Sequence, residues 1–321
     1  MGELYIAGDD VEMWFNHGAV TFYSNGGTLW PDWLDRTGVH RGEITSVRVM
    51  EGMVYLPEDS SGVNDWQYAT FGGLSNAVSI DMKRFNASRV KNMSQMFCGC
   101  HTLERLGLHG FDTSNVTDMN GMFYDCASLQ TLDLSGLDTS NVTDMQEMFA
   151  GCAELTSLDL SRFDTSHVTN LWGMFVKCKN LTELNLNNID TSNVEHMGHM
   201  FYGCQNIQKI NLSGFKTSKV RSMRSMFNNC TNLREVNLDG LNTSSVTDMD
   251  GMFFKCENLT DLDLSSFNTS NVTDMADMFD GCTRLKYIIM NPVLNSNVIT
   301  RGIFRNCPAK LTQDKKREEE S

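Results

Sequence analysis

Proline is scarce in this chain, with 4 in 321 residues, and so is positive charge: 26 Lys and Arg stand against 40 Asp and Glu, a net charge of -14. That balance excludes a binder of nucleic-acid backbone, which needs a stripe of Lys and Arg to displace counterions. Long apolar runs are lacking too. No stretch approaches the ~18 residues of a spanning helix, so no membrane span is expected. Met1-Gly2-Glu3-Leu4-Tyr5 lacks the basic and then apolar regions of a secretory signal, and Ile6 breaks the myristoylation pattern. H-E-x-x-H, G-x-S-x-G and phosphate-loop signatures do not occur, so no enzymatic activity, cofactor or metal is expected. With 40% hydrophobic residues the chain still reads as folded rather than disordered or fibrous.

What is abundant is repetition. Cys100, Cys126, Cys152, Cys178, Cys204, Cys230, Cys256 and Cys282 each follow the last by 26 residues, and a Met-Phe pair keeps the same interval from Met96-Phe97 to Met278-Phe279. A period of this size marks a solenoid, whose coils bury apolar faces only against neighbouring coils. In the unit from Cys126 to Cys152, Leu129, Leu132, Leu134 and Leu137 follow L-x-x-L-x-L-x-x-L, and the pair two apart predicts a short strand. Val142, Met145, Met148, Phe149 and Cys152 then change period and predict one face of a short helix or of loosely wound helical turns. Asn141 with Asp144 resembles a helix cap. A threonine column, Thr113, Thr139, Thr165, Thr191, Thr217, Thr243 and Thr269, stands in the turn between strand and helix, where hydroxyls are expected to satisfy backbone groups.

The L-x-x-L-x-L spacing is that of a leucine-rich repeat. More narrowly, "FDTSNVTDM", "MFxxC" and "LxxLDLS" recur from about Phe85 to Cys282. Units such as Cys126 to Phe149 closely resemble the BspA-like leucine-rich-repeat proteins of commensal and parasitic bacteria, mycoplasmas included. The resemblance implies a cell-surface protein used in attachment and partner binding. The fold expected is an α/β repeat: a leucine-rich-repeat solenoid with parallel strands on one face and short helices or helical turns on the other. Residues 85–282 form the regular block, and 44–84 read as irregular first repeats because Ile44-x-x-Val47-x-Val49 and Ile80-x-Met82 keep the strand spacing. Residues 283–311 read as a C-terminal capping repeat, in which Ile303, Phe304 and Cys307 arrive one residue early, and 312–321 as a charged tail. Residues 1–43 lie outside the repeat and are expected to form an N-terminal cap, with strands at Leu4–Ala7 and Ala19–Tyr23 and apolar bulk from Trp14, Phe15, Trp30 and Trp33.

Equivalent cysteines in stacked coils point the same way, which is poor geometry for a disulfide, so Cys126 to Cys282 read as buried reduced thiols of the core. His196 and His199 occupy the positions of Asp144 and Glu147 and are expected to face solvent rather than hold a metal.

If Leu132 and Leu134 point inward, then Thr131, Asp133 and Ser135 point outward, and their equivalents form columns across the coils. The first column varies: Arg105, Thr131, Ser157, Glu183, Lys209, Glu235, Asp261, Tyr287. The middle one, Gly107, Asp133, Asp159, Asn185, Asn211, Asn237, Asp263 and Ile289, is mostly small and polar. Asp133 beside Asp159 is expected to need water, a cation or a basic partner. On the other side, Trp172 stands where other coils have Gln146, Gly198 and Arg224, which makes it a candidate contact. The expected function is a non-enzymatic module that binds a host or bacterial protein through Arg105, Asp133, Asp159, Glu183, Lys209, Glu235, Asp261 and Tyr287, with Trp172 as a further contact. An intracellular scaffold or inhibitor is one alternative. A carbohydrate-binding adhesin is another, opposed by the lack of clustered exposed aromatics on which sugar rings stack. The resemblance places the protein at the cell surface or outside the cell; a start without an export signal keeps the cytoplasm as the alternative.

Overall fold

The computed structural model describes residues 2–61, 69–290 and 297–312. Residues fixed by the repeat go inside. The phenylalanines of the repeat, Phe71 to Phe279, are fully buried, and with half-buried Phe304 they stack ring on ring, centroids 5.3–5.9 Å apart and planes within 14°. Beside them run the methionine columns and the cysteines, all ten of them free thiols. Each repeat thiol donates to the carbonyl of a phenylalanine 29 residues earlier, from Cys100 to Phe71 at 3.2 Å through Cys204 to Phe175 at 3.1 Å to Cys282 on Phe253 at 3.0 Å. Cysteine thus supplies a small apolar body and a weak donor at once.

The strands of the repeat are short and parallel, whereas Glu3–Asn16 and Ala19–Leu29 form a longer antiparallel pair. After β1 (Glu3–Asn16), β2 (Ala19–Leu29), β3 (Ser46–Tyr55), β4 (Ser79–Asp81) and β5 (Phe85–Asn86) come three-residue strands. These are β6 (Arg105–Gly107), β7 (Ser157–Asp159), β8 (Glu183–Asn185), β9 (Lys209–Asn211), β10 (Glu235–Asn237), β11 (Asp261–Asp263), β12 (Tyr287–Ile289) and β13 (Lys310–Thr312). Pairing is interrupted: β4 joins β6, β7 joins β8, β9 joins β10, and β11, β12 and β13 form a trio. The coil of Thr131–Asp133 carries no strand.

The opposite face differs from the helix expected there. α1 (Trp33–Thr37) is the one α-helix among the described residues. In the unit of Cys126–Cys152, the N–H groups of Met148, Ala150 and Cys152 reach only three residues back, to Met145, Glu147 and Phe149. Those of Met145, Glu147, Phe149 and Gly151 leave the coil altogether, for the carbonyls of Asn170, Trp172, Met174 and Val176 at 2.7–3.1 Å. An α-helix needs a bond four residues back and negative φ throughout. Here Glu147 and Gly151 have φ of 52° and 78°, and the same two positions are left-handed in coil after coil. The face is therefore a stack of consecutive turns, stitched by a column of parallel bridges that includes Asp118, Asp144, Asn170 and His196. Asn141 caps no helix; its Nδ2 donates to Ser114 O of the preceding coil at 2.8 Å, while Asp144 Oδ1 accepts the Gln146 N–H.

The threonine column does hold backbone groups. Thr165 Oγ1 donates to Asp190 O at 3.0 Å and accepts the Asp190 N–H at 2.8 Å, and Thr113 does the same with Asp138.

Because turn-face N–H groups donate toward the following coil, the first coil is left with acceptors to fill. Met96 O and Cys98 O accept from Phe71 and Gly73; their equivalents one coil earlier are Thr70 O and Gly72 O. Trp33 Nε1 donates to Thr70 O at 2.9 Å, and Arg41 donates to Gly72 O and to Ala69 O. The hairpin of β1 and β2 continues this cover, since β2 pairs in parallel with β3, which pairs with β4 and β5. Trp66, Asn291 and the charged residues from Asp314 to Glu320 lie outside the described residues.

Candidate functional site

The in-register ladders align Ser79 with Arg105, Ser157 with Glu183, Lys209 with Glu235, and Asp261 with Tyr287. Within each ladder these residues thus share the outer side, and those from Arg105 to Tyr287 are exposed except half-buried Ser157. Lys209 Nζ lies 2.8 Å from Glu235 Oε2, both side chains about two-thirds exposed, and Arg105 is 3.7 Å from Glu104. Exposed pairs of this kind contribute about 0–1 kcal/mol, so a partner can exchange them at little cost.

Asp133 and Asp159 find donors within their own turns. Each carboxylate accepts the N–H two residues on, from Ser135 and Ser161 at 2.9 Å, and Asn185 Nδ2 adds a bond to Asp159 at 3.0 Å. The Ser135 hydroxyl and then its N–H hold the Asp133 carboxyl below the usual range; for Asp159 the Ser161 N–H comes first and its hydroxyl second. Asn211 and Asp263 accept from Ser213 and Ser265 in the same way, so this column secures the exit from each strand.

Between β8 and β9 the sheet opens. No ladder joins them among the described residues, and a cleft of about 100 Å³ lies there, lined by Leu184, Asn185, Leu186, Asn187, Ile207, Lys209, Ile210 and Asn211. Leu186 is half-buried, whereas its equivalents Leu160 and Leu212 are fully buried. The sequence sign is slight: Ile189 stands where the adjoining coils have Phe163 and Phe215. Sequence reasoning missed this cleft. It also missed a wider hollow of about 510 Å³ between hairpin and solenoid, bordered by Thr28, Pro57, Ser88, Arg89, Lys91 and Asn115. There Lys91 is paired with Glu58 at 2.6 Å, and Arg89 stacks on Tyr55.

Trp172 sits on the turn face, away from the strand column, so the structure does not bring it together with the other candidates. His196 is exposed as expected, but His199 is half-buried, with its Nδ1 buried and without a partner. Burial first, and Arg224 second, push its imidazole below the ordinary range. Among the described residues no group of three or more His, Cys, Asp or Glu is placed to hold a metal, and no helix is long and apolar enough to cross a membrane.

These features define a parallel β-solenoid of leucine-rich-repeat type that presents a polar, variable strand face. The family described as "Mycoplasma protein of unknown function, DUF285" matches residues 67–159, 153–238 and 205–316, and the chain belongs to it. That membership agrees with the BspA-like resemblance read from the repeat. No curated protein matches the chain at a significant level. Similar solved structures include the T. pallidum leucine-rich-repeat protein, 16% identical over 75% of this chain and 83% of that one, with a TM-score of 0.35. A leucine-rich cell surface protein from Faecalibacterium prausnitzii is 16% identical over 98% and 96%, with a TM-score of 0.31. A Leptospira interrogans leucine-rich-repeat protein is 13% identical over 82% and 64%, with a TM-score of 0.32. Scores this low bear on neither partner nor site.

Proposed function

We propose that the chain is a non-enzymatic protein-binding module displayed on a bacterial surface, whose strand face holds the partner around Glu183, Lys209 and Glu235. The observation that carries this reading is the variable column beside an open cleft. Along a frame whose inner positions hardly change, the outer residues run acidic, basic, acidic from Glu183 to Glu235, and the gap between β8 and β9 bares Leu184 and Leu186 beside them. An apolar side chain seated on those leucines gains about 1–2 kcal/mol from partial burial. Flanking charges in the order basic, acidic, basic on the partner would then fix register. Membership of a Mycoplasma family supports a bacterial setting, and the BspA-like resemblance supports surface display.

The test captures partners with the full chain and with a Glu183→Lys/Glu235→Lys variant side by side, then measures affinity for any protein retained. A partner held by the native chain and at least about tenfold weaker on the variant agrees with the proposal. Equal affinity for both removes the site from the strand face.

A further inference from the structure

Clustered aromatics, the feature whose lack counts against a glycan ligand in the sequence, are assembled by the fold. On the turn face Trp172 meets His199 of the next coil and His199 meets Tyr202, with ring centroids 4.8 and 5.7 Å apart and planes tilted by 42° and 31°. All three rings are half-buried. The frame does not need the indole: other coils carry Gln146, Gly198, Arg224, Asp250 and Ala276 at this position. The following coil makes room for it instead. A Cβ on Gly198 would stand 3.3 Å from both Cδ1 and Nε1 of Trp172 and 3.2 Å from Arg224 O, so the missing side chain forms the shelf beside which the ring rests.

The surroundings choose among ligands. A protein hot spot is ringed by contacts that shut out water, but the rim here is polar and already fixed. Asn170 Nδ2 donates to Gln146 Oε1 at 3.0 Å, and the Arg224 guanidinium is balanced by Asp250 at 2.7 Å. The Trp172 indole N–H has no acceptor among the described residues and is left for a ligand, whereas His199 Nδ1, buried and unpartnered, lies out of a ligand's reach. Apolar ring faces bordered by hydrogen-bonding groups match a sugar, which has a C–H face and a margin of hydroxyls. Backbone bonds from Glu147 to Trp172 O, Gly173 to Gly198 O and His199 to Arg224 O, all 2.8–2.9 Å, hold the cluster rigid, which limits the ordering cost of binding.

We infer that the turn face carries a glycan-binding site, separate from the strand face, on which an oligosaccharide lays one sugar ring against Trp172 and the next toward Tyr202, across His199.

A glycan array probed with the full chain, followed by calorimetric titration of the best-retained oligosaccharide, tests this. Trp172→Gln is the informative variant because Gln146 already occupies the equivalent position, so the coil keeps its fold. The expected results are a loss of about tenfold or more in affinity for Trp172→Gln, comparable to removing one stacking platform, a smaller loss for Tyr202→Ala, and unchanged affinity for Glu183→Lys/Glu235→Lys. An array with no retained oligosaccharide overturns the inference, as does a glycan bound equally by Trp172→Gln. The strand-face proposal stands or falls separately, since its variants leave this site untouched.

Discussion

Raising the pH should unfold this solenoid through its thiols. Cys100, Cys126, Cys152, Cys178, Cys204, Cys230, Cys256 and Cys282 are buried to within 1% of completely. Burial is the first cause in every case, pushing Cys100 and Cys282 up to about 12 and the others well above their ordinary value. In the unfolded chain the same thiols ionise near pH 8.5. The folded state therefore keeps protons that the unfolded state releases, and stability is full below about pH 8.5 and falls above it. One pH unit higher, each thiol favours unfolding by about 1.4 kcal/mol, so eight together remove about 11 kcal/mol, comparable to the whole stability of a typical domain. The assay is urea denaturation followed by circular dichroism between pH 7 and 9.7, under a phosphine reductant. With buried Cys98, likewise pushed up to about 12 by burial, the slope of stability against pH should approach the release of about nine protons per chain, and Cys204→Ala should reduce it by about one. Release of fewer than about four protons, or an unchanged slope in Cys204→Ala, would mean that the buried thiols do not govern alkaline unfolding.

Thr165→Val keeps the shape of a side chain only 1% exposed but strands both the N–H and the carbonyl of Asp190, and should cost about 2–4 kcal/mol in urea denaturation. Phe175→Ala interrupts the ring stack between Phe149 and Phe201 and should cost about 3–5 kcal/mol by the same measurement, more than any substitution on the strand face. Trp33→Phe leaves the Thr70 carbonyl without its indole donor and should lower stability by about 1–3 kcal/mol, with amide exchange accelerated first around Phe71 to Leu74. Charge reversal at Glu183 should move stability by about 0.5 kcal/mol or less, because the side chain is exposed; a larger loss would give it a structural role.

The inner columns were legible because the 26-residue interval ties each residue to a copy of itself in the adjoining coil. Leu134, Met148, Phe149 and Cys152 are all buried as the spacing requires. The turn face was misread for a physical reason. Consecutive turns bonded three residues back repeat apolar positions at intervals of three, which imitates one stripe of a helix. What breaks the imitation is left-handed backbone at two positions of each coil, marked by glycine at Gly121, Gly151, Gly173 and Gly203 but masked at Glu147, Lys177 and His199. The same twist half-buries His199, whose position alone suggested exposure. On the strand side, the variable column could be read from alternation, but the capping role of Asp133 and Asp159 depends on N–H groups whose direction only the folded turn sets. The cleft at Leu186 and the cluster of Trp172, His199 and Tyr202 arise between coils, where packing depends on small differences such as Ile189 and Gly198 that look like ordinary drift in a single repeat.

Contact of a protein partner with the strand face is read out by hydrogen exchange of the full chain with and without a captured partner. Protection is expected to concentrate at residues 183–187, 207–211 and 235–237, with the turn face around Trp172 unchanged. Protection confined to the turn face, or to the hairpin of β1 and β2, would contradict contact at the strand face.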